Sequence, residues 1–283
     1  MHCTTPDPSQ LPGIARLLAE WQPPGGQVDQ LHPGDLGWFH RFGAAATANA
    51  VRLWDRAGTT VAIGLLDEPD LLRLAFAPDA LGDHDLAARI AGDVDDERVL
   101  AGGKAHVEPP AGAALRDVLA DWEQVDPWVP LYRDLAEPVE DPGITVERVT
   151  PDTAAERVAV QRASFDGFTY TVERWHAMAA GPPYAHASDL LGRDGDGNAV
   201  AAVTVWSAGP GRPGIIEPMG VHRDFRGAGH GRAITVAAAA ALRDLGASGA
   251  WVCTPAFNTG AVATYAAAGF TPQPETRALA RLT

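Results

Sequence analysis

The chain has 283 residues, 46% of them hydrophobic, and a formal net charge of −14 at neutral pH. That length fits one large domain or two of ordinary size with a real core. The acidic balance disfavours nucleic acid, whose phosphates need a basic face, and no run of about 18 apolar residues offers a membrane span.

The same balance would attract a cationic small molecule, or simply keep the surface soluble. The opening stretch MHCTTPDPSQLPG lacks the basic and apolar regions of a secretory signal. Cys3 and Cys253 are too few and too far apart for a disulfide framework, so a reducing cytoplasm is the expected compartment.

In chain order, VRLWDRAGTTVAIGLLD (51–67) predicts a β-hairpin, and DLLRLAFAPD (70–79) a strand. GDHDLAARIAGDV (82–94) and KAHVEPPAGAALRDVLADWEQV (104–125) follow. AEPVEDPG (136–143), rich in proline and acid, is the expected join between two domains. Beyond it, GITVERVT is a β-branched strand, PDTAAERVAVQRASF a helix with proline at its start, and TVERWHAMAA a second helix stopping before GPPY. ASDLLGRDGDGNAVAAVTVWSAG (187–209) is a hairpin, and GIIEPMGVH (214–222) a strand. The glycine-rich FRGAGHGRA (225–233) opens an alanine-rich helix that ends at Gly246. GAWVCTPA is a strand, NTGAVATYAAAGF a helix closing at Gly269, and RALARL a final strand. The order of elements in the first half echoes that in the second. We therefore expect a tandem α/β repeat, residues 1–138 and 143–283, each copy a mostly antiparallel mixed sheet flanked by helices; two unrelated halves with the same rhythm are the alternative.

Strand, glycine loop, helix is the physical recipe for a pyrophosphate site. The first amides of a helix have no internal partners and carry the positive end of its dipole, and glycines let a ligand approach. A Walker loop needs Gly-Lys-Ser/Thr, which is absent. The dinucleotide fingerprint G-x-G-x-x-G fails at Arg232 counted from Gly227, and at Ile234 counted from Gly229. The pattern [Q/R]-x-x-G-x-[G/A] fits Arg226, Gly227, Ala228, Gly229, His230 and Gly231, with Arg232 a second cation beside it.

Residues 143–283 resemble the GCN5-related N-acetyltransferases. The resemblance rests on the strand ending Met219-Gly220-Val221, the Arg/Gly loop, Asn258 after the next strand, and Tyr265 followed by Gly269-Phe270. The tandem layout is similar to that of two-domain members of the family. It implies acetyl-CoA as co-substrate, with Met219, Gly220, Val221, the loop from Arg226 to Arg232, Asn258 and Ala261 around it. Pro218 within a strand marks a bulge or an edge. In the family the splay there forms the pantetheine cleft, where the amides of Gly220 and Val221 could pair with the ligand. Tyr265 and Ala261 share a helical face that the resemblance turns toward the CoA sulfur, so Tyr265 is expected to protonate the leaving thiolate, unless it is simply a core tyrosine. Asn258 bonds the pantetheine, caps its helix, or both. Glu217 is the candidate base for an amine whose free pKa is about 10; an outward-facing strand residue is the alternative. A backbone amide near Gly220 or Val221 would meet the oxyanion.

The resemblance places the acceptor near SFDGFTYTVERW, with Phe165, Phe168, Tyr170 and Trp175 as walls and Asp166 as the anchor for a cation. The first copy has Asp83 and Asp85 where the loop should be, so it is expected not to bind CoA and to brace the active half. DGDGN lacks the glycine and glutamate of a calcium loop, the histidines show no H-x-x-x-H or H-E-x-x-H spacing, and no metal is expected. Cys253 reads as a small buried residue. The expected activity is N-acetylation of a primary amine on a small cationic molecule by direct attack, in a monomer or homodimer without nucleic-acid or membrane partners. A non-catalytic acyl-CoA sensor and a nucleotide-binding domain are the rival readings.

Overall fold

The structure, a computed structural model, describes residues 1–96, 99–100, 103–167 and 169–281. In chain order its first strands are β1 (His2–Thr4), β2 (Val51–Arg56), β3 (Thr59–Glu68), β4 (Leu71–Phe76), β5 (Ala105–Glu108) and β6 (Glu123–Gln124). Then come β7 (Trp128–Asp134), β8 (Thr145–Arg148), β9 (Ala187–Arg193), β10 (Ala199–Ser207), β11 (Gly214–Val221), β12 (Gly249–Pro255), β13 (Thr271–Pro272) and β14 (Leu279–Arg281). The helices of the first half are α1 (Leu11–Trp21), α2 (Pro33–Phe39), α3 (Ala44–Ala50), α4 (His84–Val94) and α5 (Ala114–Val118). Those of the second are α6 (Ala154–Ser164), α7 (Val172–Ala179), α8 (His230–Asp244) and α9 (Thr259–Ala267).

Local chemistry sets these elements. The β2–β3 hairpin turns at Ala57 and Gly58, both at positive φ (50° and 84°), the geometry of a two-residue turn that follows the strand twist. In α1, Leu11, Ile14, Ala15 and Leu18 recur at helical spacing and are buried. In α8, Ala233, Ile234, Ala237, Ala238 and Leu242 form the buried face. Its small side chains let the helix lie close on the sheet, and Gly246 (φ 80°) terminates it.

The strands form two mixed seven-stranded sheets, ordered β1-β2-β3-β4-β5-β14-β6 and β8-β9-β10-β11-β12-β7-β13. The two orders have the same pattern, which is the expected tandem repeat. Each sheet, however, takes its sixth strand from the other half. β7 pairs antiparallel along the whole of β12, from Gly249↔Asp134 to Pro255↔Trp128, and also with β13. β14 pairs with β5 and β6. The proline-rich join at 136–143 therefore separates the chain but not the sheets.

The halves are tied elsewhere too. Besides one apolar core in each half, a third core brings Trp38 of α2 together with Tyr170, Trp175, Trp206 and Trp251. α2 reaches this close because it is glycine-faced. A Cβ at Gly34 would stand 2.5 Å from Cβ of Trp206, and one at Gly37 would stand 2.4 Å from its ring. Buried His32 accepts from Gly34 N through Nδ1 (3.0 Å), so its other nitrogen, Nε2, carries the proton and donates to Pro213 O (3.2 Å). Gly25 N donates to Gly211 O (2.9 Å), and Arg212 donates to the carbonyls of Glu20 and Gln22.

Two outcomes follow from this arrangement. Residues 143–283 expressed alone lack the strand between β12 and β13, so thermal unfolding followed by circular dichroism should show no cooperative transition; a sharp transition would mean the exchange is dispensable. Burial holds the His32 imidazole down to about 4, with Asp35 pulling the other way. In the unfolded chain it titrates near 6.5. Between these values the unfolded state binds a proton that the folded state refuses. The contribution of His32 is therefore complete above pH 6.5 and lost on acidification toward pH 4, on the order of 3 kcal/mol. Denaturant melts of wild type and His32→Gln should converge over that window, and parallel curves would refute the buried neutral imidazole.

Candidate active site

β10 and β11 fall out of register between Val203↔Met219 and Val205↔Ile216, so Glu217 and Pro218 together oppose Thr204. This is the bulge expected at Pro218, which offers no ladder N–H. On the other side of β11, parallel pairing with β12 runs only through Gly214↔Ala250 and Ile215↔Trp251. Beyond Ile215 the two strands part.

A cleft of about 1330 Å³ fills the gap. That exceeds the 300–1,000 Å³ usual for one small ligand, leaving room for two substrates. It runs from the loop at the start of α8, between β11 and β12, to the first half, where Asp35, Asp67, Arg73 and Glu108 line it.

At the loop end, Gly227 (φ 81°) and Gly229 (φ 85°) hold left-handed conformations that side chains resist. Gly229 caps α8, and the first helical bond is Ala233 N to Gly229 O (3.0 Å), so the amides of His230, Gly231 and Arg232 precede the ladder. Gly231 packs on α9, where a Cβ would meet Thr264 at 2.9 Å. Arg226 donates to Ser164 O (2.6 Å) and Arg232 to Ala267 O (3.0 Å), with Glu140 at 3.5 Å from Arg232. Each guanidinium is thus anchored at the mouth with donors to spare. Ala228 is exposed on the outside of the loop and does not line the cleft.

The middle of the cleft holds the expected reacting groups. Met219, Gly220 and Val221 line it from β11, and Asn258, Ala261 and Tyr265 from α9. Asn258 caps α9, accepting from Ala261 N (3.2 Å). Gly220 lies beneath the end of α6, where a Cβ would strike Ser164 at 2.5 Å. The sequence reading put the amides of Gly220 and Val221 on the open side. Because His222 N donates to Val200 O, strand alternation directs the Gly220 amide to β10 as well; Met219 and Val221 present theirs to the gap. Burial raises the Tyr265 phenol well above its ordinary range, so it keeps its proton. Glu217 is half-buried, with its carboxyl on the cleft and its backbone carbonyl accepting from Trp206 Nε1 (2.6 Å). Burial first, and then the neighbouring Asp35 carboxyl, hold its pKa well above the usual carboxylate range, against the pull of Arg73.

Several sequence expectations do not hold. Tyr170 is no cleft wall: it is 1% exposed, 5.3 Å from the Trp38 ring, with its hydroxyl on Met178 Sδ. Trp175 is equally buried, donating to Asp189 (2.7 Å). Asp166 is exposed, 3.1 Å from Arg223, and does not line the cleft. Phe165, 41% exposed, does line it. Phe168 lies outside the described residues. Cys253 is not buried but opens onto the cleft. Protein still surrounds its thiol, and desolvation pushes it up to about 12, which suits an inert thiol rather than a nucleophile. Sequence reasoning missed Asp35, Asp67, Arg73 and Glu108; the one signal was charged residues punctuating apolar runs of the first half. Among the described residues, no group of three His, Cys, Asp or Glu is placed to hold a metal, and no helix is long and apolar enough to cross a membrane.

Residues 158–270 match the model of the acetyltransferase (GNAT) family. This half is a GNAT domain. Among curated proteins none is similar enough in sequence to match. The fold is shared over nearly the whole chain with solved structures. A GCN5-related N-acetyltransferase from Sphaerobacter thermophilus aligns with TM-score 0.59 at 20% identity, over 99% of this chain and 95% of that one. A GNAT-family acetyltransferase from Colwellia psychrerythraea gives 0.58 at 16%, over 99% and 98%. A tandem GNAT protein from the clavulanic acid biosynthesis pathway gives 0.56 at 15%, over 97% and 94%. The architecture is thus that of two tandem GNAT-like domains, and members of the family are acetyltransferases that use acetyl-CoA.

The raised thiol of Cys253 can be checked directly. In a Cys3→Ser background, alkylation of Cys253 by iodoacetamide should be slow at pH 8 and keep accelerating above pH 9, since so little thiolate is present. A rate that has levelled off by pH 8 would mark a thiolate and reopen a covalent mechanism.

Proposed function

We propose that this protein is an acetyl-CoA-dependent N-acetyltransferase with one active site, in the C-terminal GNAT domain, and that it acetylates a primary amine on a small cationic molecule by direct attack. The observation that carries this reading is that Glu217 and Tyr265 face one cleft from opposite sides of the β11–β12 gap, with the α8 loop at its mouth.

The chain fits the donor. The amides at the start of α8, with Arg226 and Arg232 beside them, suit a pyrophosphate. The open-side amides of Met219 and Val221 suit a pantetheine arm lying as an added strand, and one of them can hydrogen-bond the oxyanion. In its deprotonated form, populated as pH rises through its raised pKa, Glu217 accepts the proton of the incoming amine. Tyr265 holds its proton until the thiolate departs and then donates it. The acid-lined inner end of the cleft favours a cationic acceptor. The first domain lacks such a loop. Asp83 caps α4 there, accepting from Leu86 N (2.9 Å) and pairing with Arg56 (2.5 Å), so a carboxylate already occupies the place of a phosphate. Its role is to complete the second domain.

Calorimetric titration with acetyl-CoA tests the reading, using wild type and Gly229→Asp. Aspartate tolerates the left-handed backbone but sets a negative charge at the helix start. Wild type should bind in the micromolar range and the variant about tenfold or more weakly. Spermidine or glucosamine should then release free CoA thiol from wild type and not from Tyr265→Phe. Binding without thiol release for any amine would favour the acyl-CoA sensor, and no binding would sink the assignment.

A further inference from the structure

Nothing in the GNAT pattern of the second half accounts for the charged groups that face Glu217. They come from the other half of the chain. Asp35, 5% exposed, lies on α2 between the two glycines that seat this helix on Trp206. Trp206 in turn donates to the carbonyl of Glu217, so the packing that admits α2 also brings Asp35 and Glu217 to the wall of the same cleft. Asp35 has donors of its own: His32 N at 2.6 Å and Arg73 Nη1 at 2.9 Å. Arg73 also reaches Glu108 (3.0 Å) and Asp67 (3.5 Å).

Two carboxyls sharing a partly buried cleft wall cannot both stay ionised at little cost, so one keeps a proton. The two oxygens of Asp35 already accept from a backbone amide and a guanidinium, whereas no donor reaches the Glu217 carboxyl among the described residues; Glu217 is the one that holds the proton. We propose that Asp35 and Arg73 are positioning residues for the second domain's chemistry. The first domain thereby sets the proton state of Glu217 through a carboxyl pair that spans both halves. This rests on Glu217 being the base. Other charged or titratable groups within electrostatic reach of it are Asp67 on β3, Arg41 two residues past α2, and Cys253 on β12, with Glu108 of β5 behind Arg73.

The signs are opposite for the two residues, which separates this role from structural damage. Asp35 raises the Glu217 proton affinity and Arg73 lowers it. The test is infrared spectroscopy of the full-length protein over a pH series, and it needs no substrate. Wild type near neutral pH should show a protonated-carboxyl stretch that Glu217→Gln removes. In Asp35→Asn the midpoint of that band should fall by about one pH unit or more, and in Arg73→Gln it should rise. Asp67→Asn, at a half-buried site, should give a smaller fall and serves if Asp35→Asn does not fold. With an amine acceptor, the rising limb of kcat/KM against pH should move with the band. Absence of a Glu217-dependent band, an unmoved midpoint, or shifts of one sign in the Asp and Arg variants would overturn the proposal. Shifts as expected in a protein that never transfers acetyl groups would count against Glu217 as base and leave the carboxyl pair standing.

Discussion

The exchange of sixth strands between the sheets is the constraint on which the rest depends. A GNAT-type cleft is a sheet opened between two parallel strands, and an opened sheet leaves hydrogen-bonding groups exposed that attract other chains. Here β12, having parted from β11 beyond Trp251, is held along its whole length on the other side by β7. That strand comes from the first half, and the first sheet is completed in return by β14. Each sheet thus holds a strand of the other half, and the exchange ties the two copies together around the cleft.

That lock explains why a copy without a phosphate loop still matters. Where the second half sets its glycine loop, the first half sets, at the start of α4, the carboxylate of Asp83, which accepts from Leu86 N. What it offers is a wall. Glycines 34 and 37 bring α2 onto Trp206, His32 tethers the segment to Pro213, and the charged ends of β3, β4 and β5 face across the gap toward Glu217. The catalytic carboxyl candidate therefore sits at an interface between copies, where desolvation is strong and the neighbouring charges belong to another domain.

The cleft is electrically graded. Its mouth carries a helix N-terminus and two anchored arginines; its inner end carries more carboxylates than guanidiniums. In the proposed reaction, an anionic donor and a cationic acceptor enter from the two ends and meet between Glu217 and Tyr265. A net charge of −14 restates this only weakly, because most acidic residues lie on the outer surface and say nothing about the site.

The sequence by itself determined whatever depends on neighbours along the chain. The loop from Arg226 to Gly231, the α8 helix, the hairpins, the bulge at Pro218 and the repeated order of elements were all legible, because turn chemistry, helical spacing and strand alternation act over a few residues. The tertiary structure decided the rest. The strand at 128–134 was hidden by Pro127 and Pro130, which its position beside β12 and β13 tolerates. An apolar run such as GAWVC cannot say which of its residues meets a cavity, so Cys253, expected to be buried, instead opens onto the cleft; an aromatic run such as FDGFTY cannot say that Phe165 faces the cleft while Tyr170 fills the core. Asp35 and Glu217 lie in different halves, and they share a cleft only once the exchanged strands and the glycine-faced helix have brought those halves together. No local pattern encodes a partner so far away along the chain.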